Sequence, residues 1–457
     1  MSKLIPQPQP TFLIGNLKEI DSSHGLESLK RLHKLYGDIY RLTFFNKSFV
    51  VVCSQEIVNF VCDETKFDKN VSQALEELRA VAGDGLFTAH TSEPNWKLAH
   101  KILMPAFGPQ TIRDMFPAMM DICTQLILRW ERFAGEEIDV CDNLTRLTLD
   151  TIALCSFNYR FNSFYHNTMH RFVDAMINVL IESGKRVGRF SLQNTLMMTT
   201  ARRYKNDIEY LHNLCDEIVK ERREHPNNVN DLLNRMINGK DPETGYQLSD
   251  ENIRYQMFTF LVAGHETTSG LLSFTLYYLL KNPHALQKAQ AEVDLYNEIT
   301  VDTLSKLKYI DAVLKETLRL QPTAPGFSLE SKIGDIMLPG GYIVDKDDMI
   351  LVLLSGLHRD PKWSKLAAIE VKSTFSRQNT DDKKYVQDLL WEDRHEIAKL
   401  YSNGARFYTC GSANKLGTSV KTCFIKIIAE ITQCNEVEAG KILEEISLDR
   451  YSVDVFT

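Results

Sequence analysis

The chain has 457 residues, 44% of them hydrophobic and 25% charged, with a formal net charge of −7 at pH 7. That balance suits a globular protein with a large core, and the length suits one big domain or two to three small ones. A mildly acidic total leaves no basic footprint for nucleic acid. Nine cysteines without a C-x-x-C pair fit a reducing compartment rather than a disulfide framework or a zinc site.

The opening MSKLIPQPQPTFLIGN has no apolar run long enough for a signal peptide or a membrane anchor, so a cytoplasmic protein is expected. Its alternating prolines predict an extended strap. Residues 26–36 predict a short amphipathic helix. Residues 39–53 predict a hairpin that turns at Asn46-Lys47. A helix follows at 55–63, a loop with an aromatic at 84–88, and a helix over 93–107 that ends at Pro105. Helices are expected at 116–133, 143–154 and 169–183, and a solvated, charge-laced one at 201–225. Residues 238–245, NGKDPETG, form a turn cluster.

Residues 258–280, FTFLVAGHETTSGLLSFTLYYLL, read as one helix, apolar at both flanks and polar in the middle. A helix hydrophobic nearly all round is a buried one, and a carboxylate inside it needs a partner or a task. Four readings compete. The stretch is long enough to span a membrane, but Glu266 at mid-depth makes that costly. It could be a core helix whose threonines bond back one turn. It could simply bend at Gly264. Or it could be a kinked helix over a cofactor, with Glu266 and Thr267 delivering protons. Beyond it, 283–296 and 305–320 predict amphipathic helices. Short strands at 336–344 and 348–354 flank the Pro339-Gly340-Gly341 turn.

After Lys365 the pattern changes to β-α alternation. A helix at 385–401 ends at the Asn403-Gly404 cap. Then come a strand at 405–410, helices at 414–432 and 437–446, and a strand at 451–456, the order of a nucleotide-binding sheet. The expected fold is therefore mainly α over 1–365 with small β-sheets, followed by a partial α/β lobe over 366–457.

Two further spacings carry chemistry. Glu316 and Arg319 in KETLR stand at i, i+3 on one helix face, which alone reads as a solvated bridge. Trp96 and His100 in NWKLAH stand at i, i+4 and offer two N–H donors, or else a buried Trp beside a satisfied His. Together, AGHETT, the E-x-x-R followed by QPTAP, and W-x-x-x-H resemble the cytochrome P450 family, the haem-thiolate monooxygenases. FDKN at 67–70, AGDGLFTAH at 82–90, DTIALCSFNYRFNSFY at 150–165 and LHRD at 357–360 are similar to its self-sufficient fatty-acid hydroxylases, in which a haem domain is fused to an NADPH-dependent flavin reductase.

That resemblance implies haem as cofactor, with NADPH, FAD and FMN in the full-length form, and a fatty acid as substrate. It implies Glu266 and Thr267 as the proton-delivery pair. Cofactor contacts would come from Lys69, Trp96, His100, Ala263, Glu316 and Arg319. Phe87 would sit over the haem face, and Lys47 would attract the substrate carboxylate, unless it is an ordinary turn lysine. Residues 366–457 resemble the end of the reductase's NADP(H)-binding lobe. There Ser376, Arg377, Lys383, Tyr385 and Gln387 match 2'-phosphate-binding positions, Cys410 matches its Y-x-C-G, and Asp454 with Phe456 its D-V-W.

The match also has a gap. The family's axial Cys lies in a loop of the form F-x-x-G-x-R-x-C-x-G, and none of Cys53, Cys62, Cys123, Cys141, Cys155, Cys215, Cys410, Cys423 or Cys434 has that context. The resemblance thus implies an internal deletion that removes the Cys loop and the flavin domains, with no metal ligand assigned. Two functions are expected to compete: a haem-dependent fatty-acid monooxygenase, and a non-catalytic remnant that binds haem or lipid weakly, with water or His358 at the iron.

Overall fold

The computed structural model describes residues 3–21, 24–45, 47–189, 197–360, 385–402, 405, 407–412, 418–446 and 451–456. The chain divides into two compact units, Met1–Lys365 and Leu366–Thr457.

The first unit runs α1 (Gly25–Tyr36), β1 (Ile39–Phe44), β2 (Lys47–Val52), α2 (Gln55–Val61), β3 (Phe67–Lys69), α3 (Gln73–Ala82), α4 (Pro94–Leu103), α5 (Pro109–Arg132) and α6 (Val140–Phe157). It continues with α7 (Arg171–Arg186), α8 (Met198–Glu224), α9 (Leu232–Asn238), α10 (Asp250–Lys281), α11 (Pro283–Val293) and α12 (Lys308–Leu320), then β4 (Gly326–Ser331), β5 (Ile336–Leu338), β6 (Tyr342–Val344) and β7 (Met349–Leu353). Helices dominate, as the periodicity predicts. Among the described residues no helix is long and apolar enough to cross a membrane.

One sheet has the order β1-β2-β7-β4-β3. β2 runs parallel to β7, with Val50 opposite Ile350 and Val52 opposite Val352. These four residues are fully buried, as a strand flanked on both edges demands. β5 and β6 form a separate hairpin, turned by Gly340 and Gly341 at φ +87° and +84°, a region where only glycine rests without strain. β3 and β4 are absent from the sequence reading. They are short and half-buried, and they pair with each other across more than 250 residues, a partnership no local pattern shows.

The main core lies among α3, α4, α6, α7, α8, α9 and the first half of α10. Within it, α6 is the most deeply enclosed, with twelve of its eighteen residues buried. Asp139 caps its start through a 2.9 Å bond from Asp142 N–H, and Asn158 ends it in the left-handed region. Buried Arg146 donates to Asp142 at 2.7 Å and to the carbonyls of Ser163, His166 and Asn167. Asp150 accepts from the Ser163 backbone and hydroxyl at 2.9 and 2.6 Å. The 150–165 stretch is therefore a scaffold that ties one long helix to the loop after it.

The second unit runs α13 (Val386–Glu392), α14 (Arg394–Ser402), β8 (Phe407–Ser412), α15 (Thr418–Thr432), α16 (Glu436–Ile446) and β9 (Tyr451–Phe456). The single helix expected at 385–401 is thus two, broken at Asp393, whose ψ of 10° leaves the helical region. β8 and β9 pair in parallel from Phe407–Tyr451 to Ser412–Phe456. The intervening α15 supplies Val420, Phe424, Ile427 and Ile428 to a small core that also holds Ile397 and Leu443.

Candidate functional site

The site is built on α10. Its 32 residues begin two turns earlier than the apolar pattern shows, capped by Ser249, whose hydroxyl accepts from Asn252 N–H at 3.2 Å. Asp250 and Glu251 occupy the first turn and Lys281 the last, matching the helix dipole. The helix continues through Gly264. The glycine is needed for contact: a Cβ there would lie 2.7 Å from Ile152 Cγ1 of α6.

Around the helix, two faces differ. His265 is fully buried, with Nδ1 2.6 Å from the Leu261 carbonyl, and Thr148 of α6 donates to the His265 carbonyl at 3.0 Å. On the other side, Ala263, Glu266, Thr267 and Thr268 form an accessible stripe in the middle of the helix. Thr267 Oγ1 donates to the Ala263 carbonyl at 2.6 Å. Its one proton is thereby used, and its lone pairs face outward as acceptors. The Glu266 carboxyl makes no hydrogen bond or ion pair among the described residues, although the Ser269 hydroxyl donates to the residue's backbone carbonyl at 3.1 Å, and burial pushes the carboxyl's pKa up. Solvent reaches this carboxyl, yet the surrounding protein strips away much of its hydration, as at the bottom of a concavity.

On α4, the Trp96 and His100 rings stack with centroids 5.2 Å apart and planes 20° apart, so the i, i+4 spacing does place both on one face. Trp96 lines a cavity of about 700 Å³ together with Lys69, Thr91, Phe327 and Lys332. Lys69 Nζ donates to the carbonyls of Leu86 and Phe87 at 3.2 and 3.4 Å, and burial lowers its pKa. That contact ties Lys69 to the 84–88 loop, in which Phe87 is 55% exposed. Glu316 and Arg319 on α12 form a bidentate pair at 2.6 and 2.7 Å, and Arg319 Nη1 donates to the His358 carbonyl at 3.2 Å. Pairing lowers the Glu316 pKa and raises that of Arg319. His358 is pulled the opposite way from a protonated base: burial lowers its pKa.

Lys47 begins β2 and donates to Gln73 Oε1 at 3.5 Å. It lines a second cavity of about 970 Å³, whose walls include Leu17, Ile20, Phe44, Phe49 and Leu180. In the second unit, Tyr385 N–H donates to Asp388 at 2.7 Å at the start of α13, and the Gln387 carbonyl accepts from Cys423 of α15 at 3.4 Å. Cys410 and Asp454 are direct partners across β8 and β9, and Phe456 stands opposite Ser412. Ser376, Arg377 and Lys383 lie outside the described residues.

Sequence reasoning missed Phe327, Thr91 and Lys332 beside Trp96. Phe327 had a signal, since it follows the Pro322–Pro325 turn directly after E-x-x-R. The other two come from segments with no pattern of their own.

A family model described as cytochrome P450 matches residues 5–365. A self-sufficient cytochrome P450 monooxygenase of Phanerodontia chrysosporium is 46% identical over 369 residues, 79% of this chain and 34% of that protein. A bifunctional cytochrome P450/NADPH–P450 reductase of Aspergillus oryzae is 49% identical over 368 residues, covering 78% and 33%. A bifunctional protein of the same description from Bacillus subtilis is 47% identical over 408 residues, covering 88% and 37%. The chain spans about a third of the length of the curated relatives it matches.

Proposed function

The chain belongs to the cytochrome P450 family, and from that premise we propose that residues 1–365 form the body of a haem-dependent monooxygenase that hydroxylates fatty acids. Electrons would come from NADPH through a flavin reductase that uses FAD and FMN, with 366–457 a partial NADP(H)-binding lobe. The relatives' names, which join P450 to NADPH–P450 reductase, support that pairing. A cytoplasmic setting belongs to the same reading.

The observation that carries the reading is the open stripe of Ala263, Glu266 and Thr267 on a helix whose other side meets α6 at Gly264 and His265. It fits a flat apolar group lying against α10, with the Trp96 and His100 N–H groups, Lys69 and Arg319 available as donors for acidic edges. The fit is incomplete on one count. Of the described cysteines only Cys62 lines the Trp96 cavity, and burial pushes its thiol up, away from the thiolate that the family's iron requires. When bound, haem would supply the activation of dioxygen and its insertion into a C–H bond. The chain's own part is derived from its residues. Glu266, with its raised pKa and open side, can hold and pass a proton at its carboxyl oxygen. Thr267, its proton committed to Ala263, can accept from a water. Phe87 presents an apolar ring that steers a hydrocarbon chain. Lys47 offers an ammonium to the substrate carboxylate at the mouth of an apolar cavity.

A second reading, a remnant that binds haem or lipid without turnover, is favoured by the missing thiolate. The test is to titrate the full chain with haem, isolate the complex, and add palmitate. A fatty-acid-induced change of spin state in the absorption spectrum is the expected result. Haem that is lost on gel filtration, with a spectrum unmoved by palmitate, would leave the remnant.

A further inference from the structure

The 970 Å³ cavity has a second charged wall. Its lining includes Lys47 from β2, Lys185 from the last turn of α7 and Arg189 from the turn that follows it, and no Asp or Glu is among the described lining residues. The cations at and just after the end of α7 are not equivalent. Arg189 donates to Glu182 at 2.6 Å, and Arg186 reaches the same carboxylate at 3.4 Å while lying over the Tyr204 ring. Glu182 is therefore spent on those two. Lys185 has no carboxylate partner among the described residues, and Lys47 has only the neutral Gln73 amide at 3.5 Å.

Two lysines thus line one largely apolar concavity whose described lining offers no carboxylate, although Lys185 also borders a smaller neighbouring cavity that holds Glu182 and Asp207. Exposed lysines are common, and a cation in a last helical turn also answers the helix dipole. Lys185 is set apart by its surroundings. It opens onto the same walls that hold Lys47, and Gly184 and Gly188 beside it keep that wall clear. A Cβ at Gly184 would meet nothing within 4 Å, so a position that a better helix former could fill leaves open space in the cavity.

We infer that Lys185 is a second head-group residue, which takes the acid of an amphipathic substrate from the α7 side while Lys47 takes it from the β2 side. This rests on the reading of the cavity as the seat of a long-chain acid. Held from two elements, the head group is fixed in place as well as attracted, which in turn fixes how far along the cavity the chain extends. The clamp also favours a head with two anionic oxygens over a neutral one, since each ammonium needs its own acceptor.

The test measures binding to the full-length chain of palmitate and of hexadecanol, which has the same chain and a neutral head. Lys185→Gln is expected to weaken palmitate roughly 3-fold, as for a partly exposed ion pair, to leave hexadecanol unchanged, and to flatten the salt dependence seen for palmitate. Lys47→Gln should act alike, and the double variant should bring palmitate down to the affinity of hexadecanol. Gly184→Leu, which fills open space on a helix and keeps the fold, should weaken both ligands. If Lys185→Gln binds palmitate as the parent does while Lys47→Gln loses affinity, the inference fails and the cavity reading stands. If neither lysine matters, or Gly184→Leu binds both ligands unchanged, the cavity reading itself falls.

Discussion

Two arginines grip carboxylates with nearly the same geometry in opposite surroundings. Arg222 at the end of α8 holds Asp231 at 2.8 and 3.0 Å and also donates to the Phe157 carbonyl at 2.9 Å. Their side chains are 6% and 1% exposed. Arg319 on α12 holds Glu316 at 2.6 and 2.7 Å, with side chains 44% and 54% exposed. The helices that carry them differ in the same way. α8 buries Tyr204, Leu211, Leu214, Cys215, Ile218 and Val219. α12 repeats Ile310, Val313, Leu314 and Leu318 at helical spacing, yet Thr317 is its one buried residue among those described. An amphipathic stripe asks for a partner, and among the described residues α12 packs mainly on α10 and α11. Equal bonds therefore do not mean equal stability. The enclosed pair is part of the foundation, while the exposed pair borders an open face.

The sharpest way to break this comparison is to remove each arginine. Arg222→Met leaves Asp231 buried without a counter-ion and should cost about 3–5 kcal/mol. Arg319→Met leaves a carboxylate that water can reach and should cost less than about 1 kcal/mol. Urea unfolding of the full chain reads both. Comparable losses would mean that α12 is as well covered as α8.

A smaller effect separates two glycines of α10. At Gly264 an added methyl meets Ile152 at 2.7 Å, and at Gly270 it comes no nearer than 3.1 Å to Thr323 Cγ2. Overpacking costs about 1–3 kcal/mol, and replacing a helical glycine returns about 1 kcal/mol. Gly264→Ala should thus lose about 1 kcal/mol, whereas Gly270→Ala should fall within about 0.5 kcal/mol of the parent. A neutral Gly264→Ala in the same unfolding assay would show that α6 and α10 can separate, and with that the reason given for the glycine would fail.

These sites also show where sequence reading stops. Trp96–His100 and Glu316–Arg319 were legible because three- and four-residue spacings place side chains on one helical face. The apolar core of α10 was legible for the same reason. Its first two turns were not, since Asp250, Glu251 and Arg254 hide the period, although acids there are what a helix start favours. The close approach that Gly264 permits was not legible, because its neighbour Ile152 lies more than a hundred residues away. The cavity at Lys47 was invisible as a cavity: its walls come from residues 17–49, Gln73 and residues 180–189, and no local period joins them.

The finest test contrasts Glu266 with Glu316. Burial raises the Glu266 pKa above the ordinary 4.5, so between 4.5 and the raised value the folded chain keeps a proton that the unfolded chain has released. Stability then falls as pH rises through that window, and above it the penalty is complete. Glu266→Gln carries no such penalty. It should be more stable than the parent at pH 7, by less than about 1 kcal/mol because solvent reaches the group and screens it, and equal to it below pH 4.5. Glu316 has the opposite sign. Arg319 holds its pKa down, so its contribution is present above 4.5 and is lost as pH falls through the lowered value, and Glu316→Gln should be the less stable variant at pH 7. Unfolding midpoints for both variants at pH 7 and below 4.5 decide the matter. If the two shift in the same direction, the concavity around Glu266 is no drier than the open edge of α12, and a proton-holding role for that carboxyl loses its physical basis.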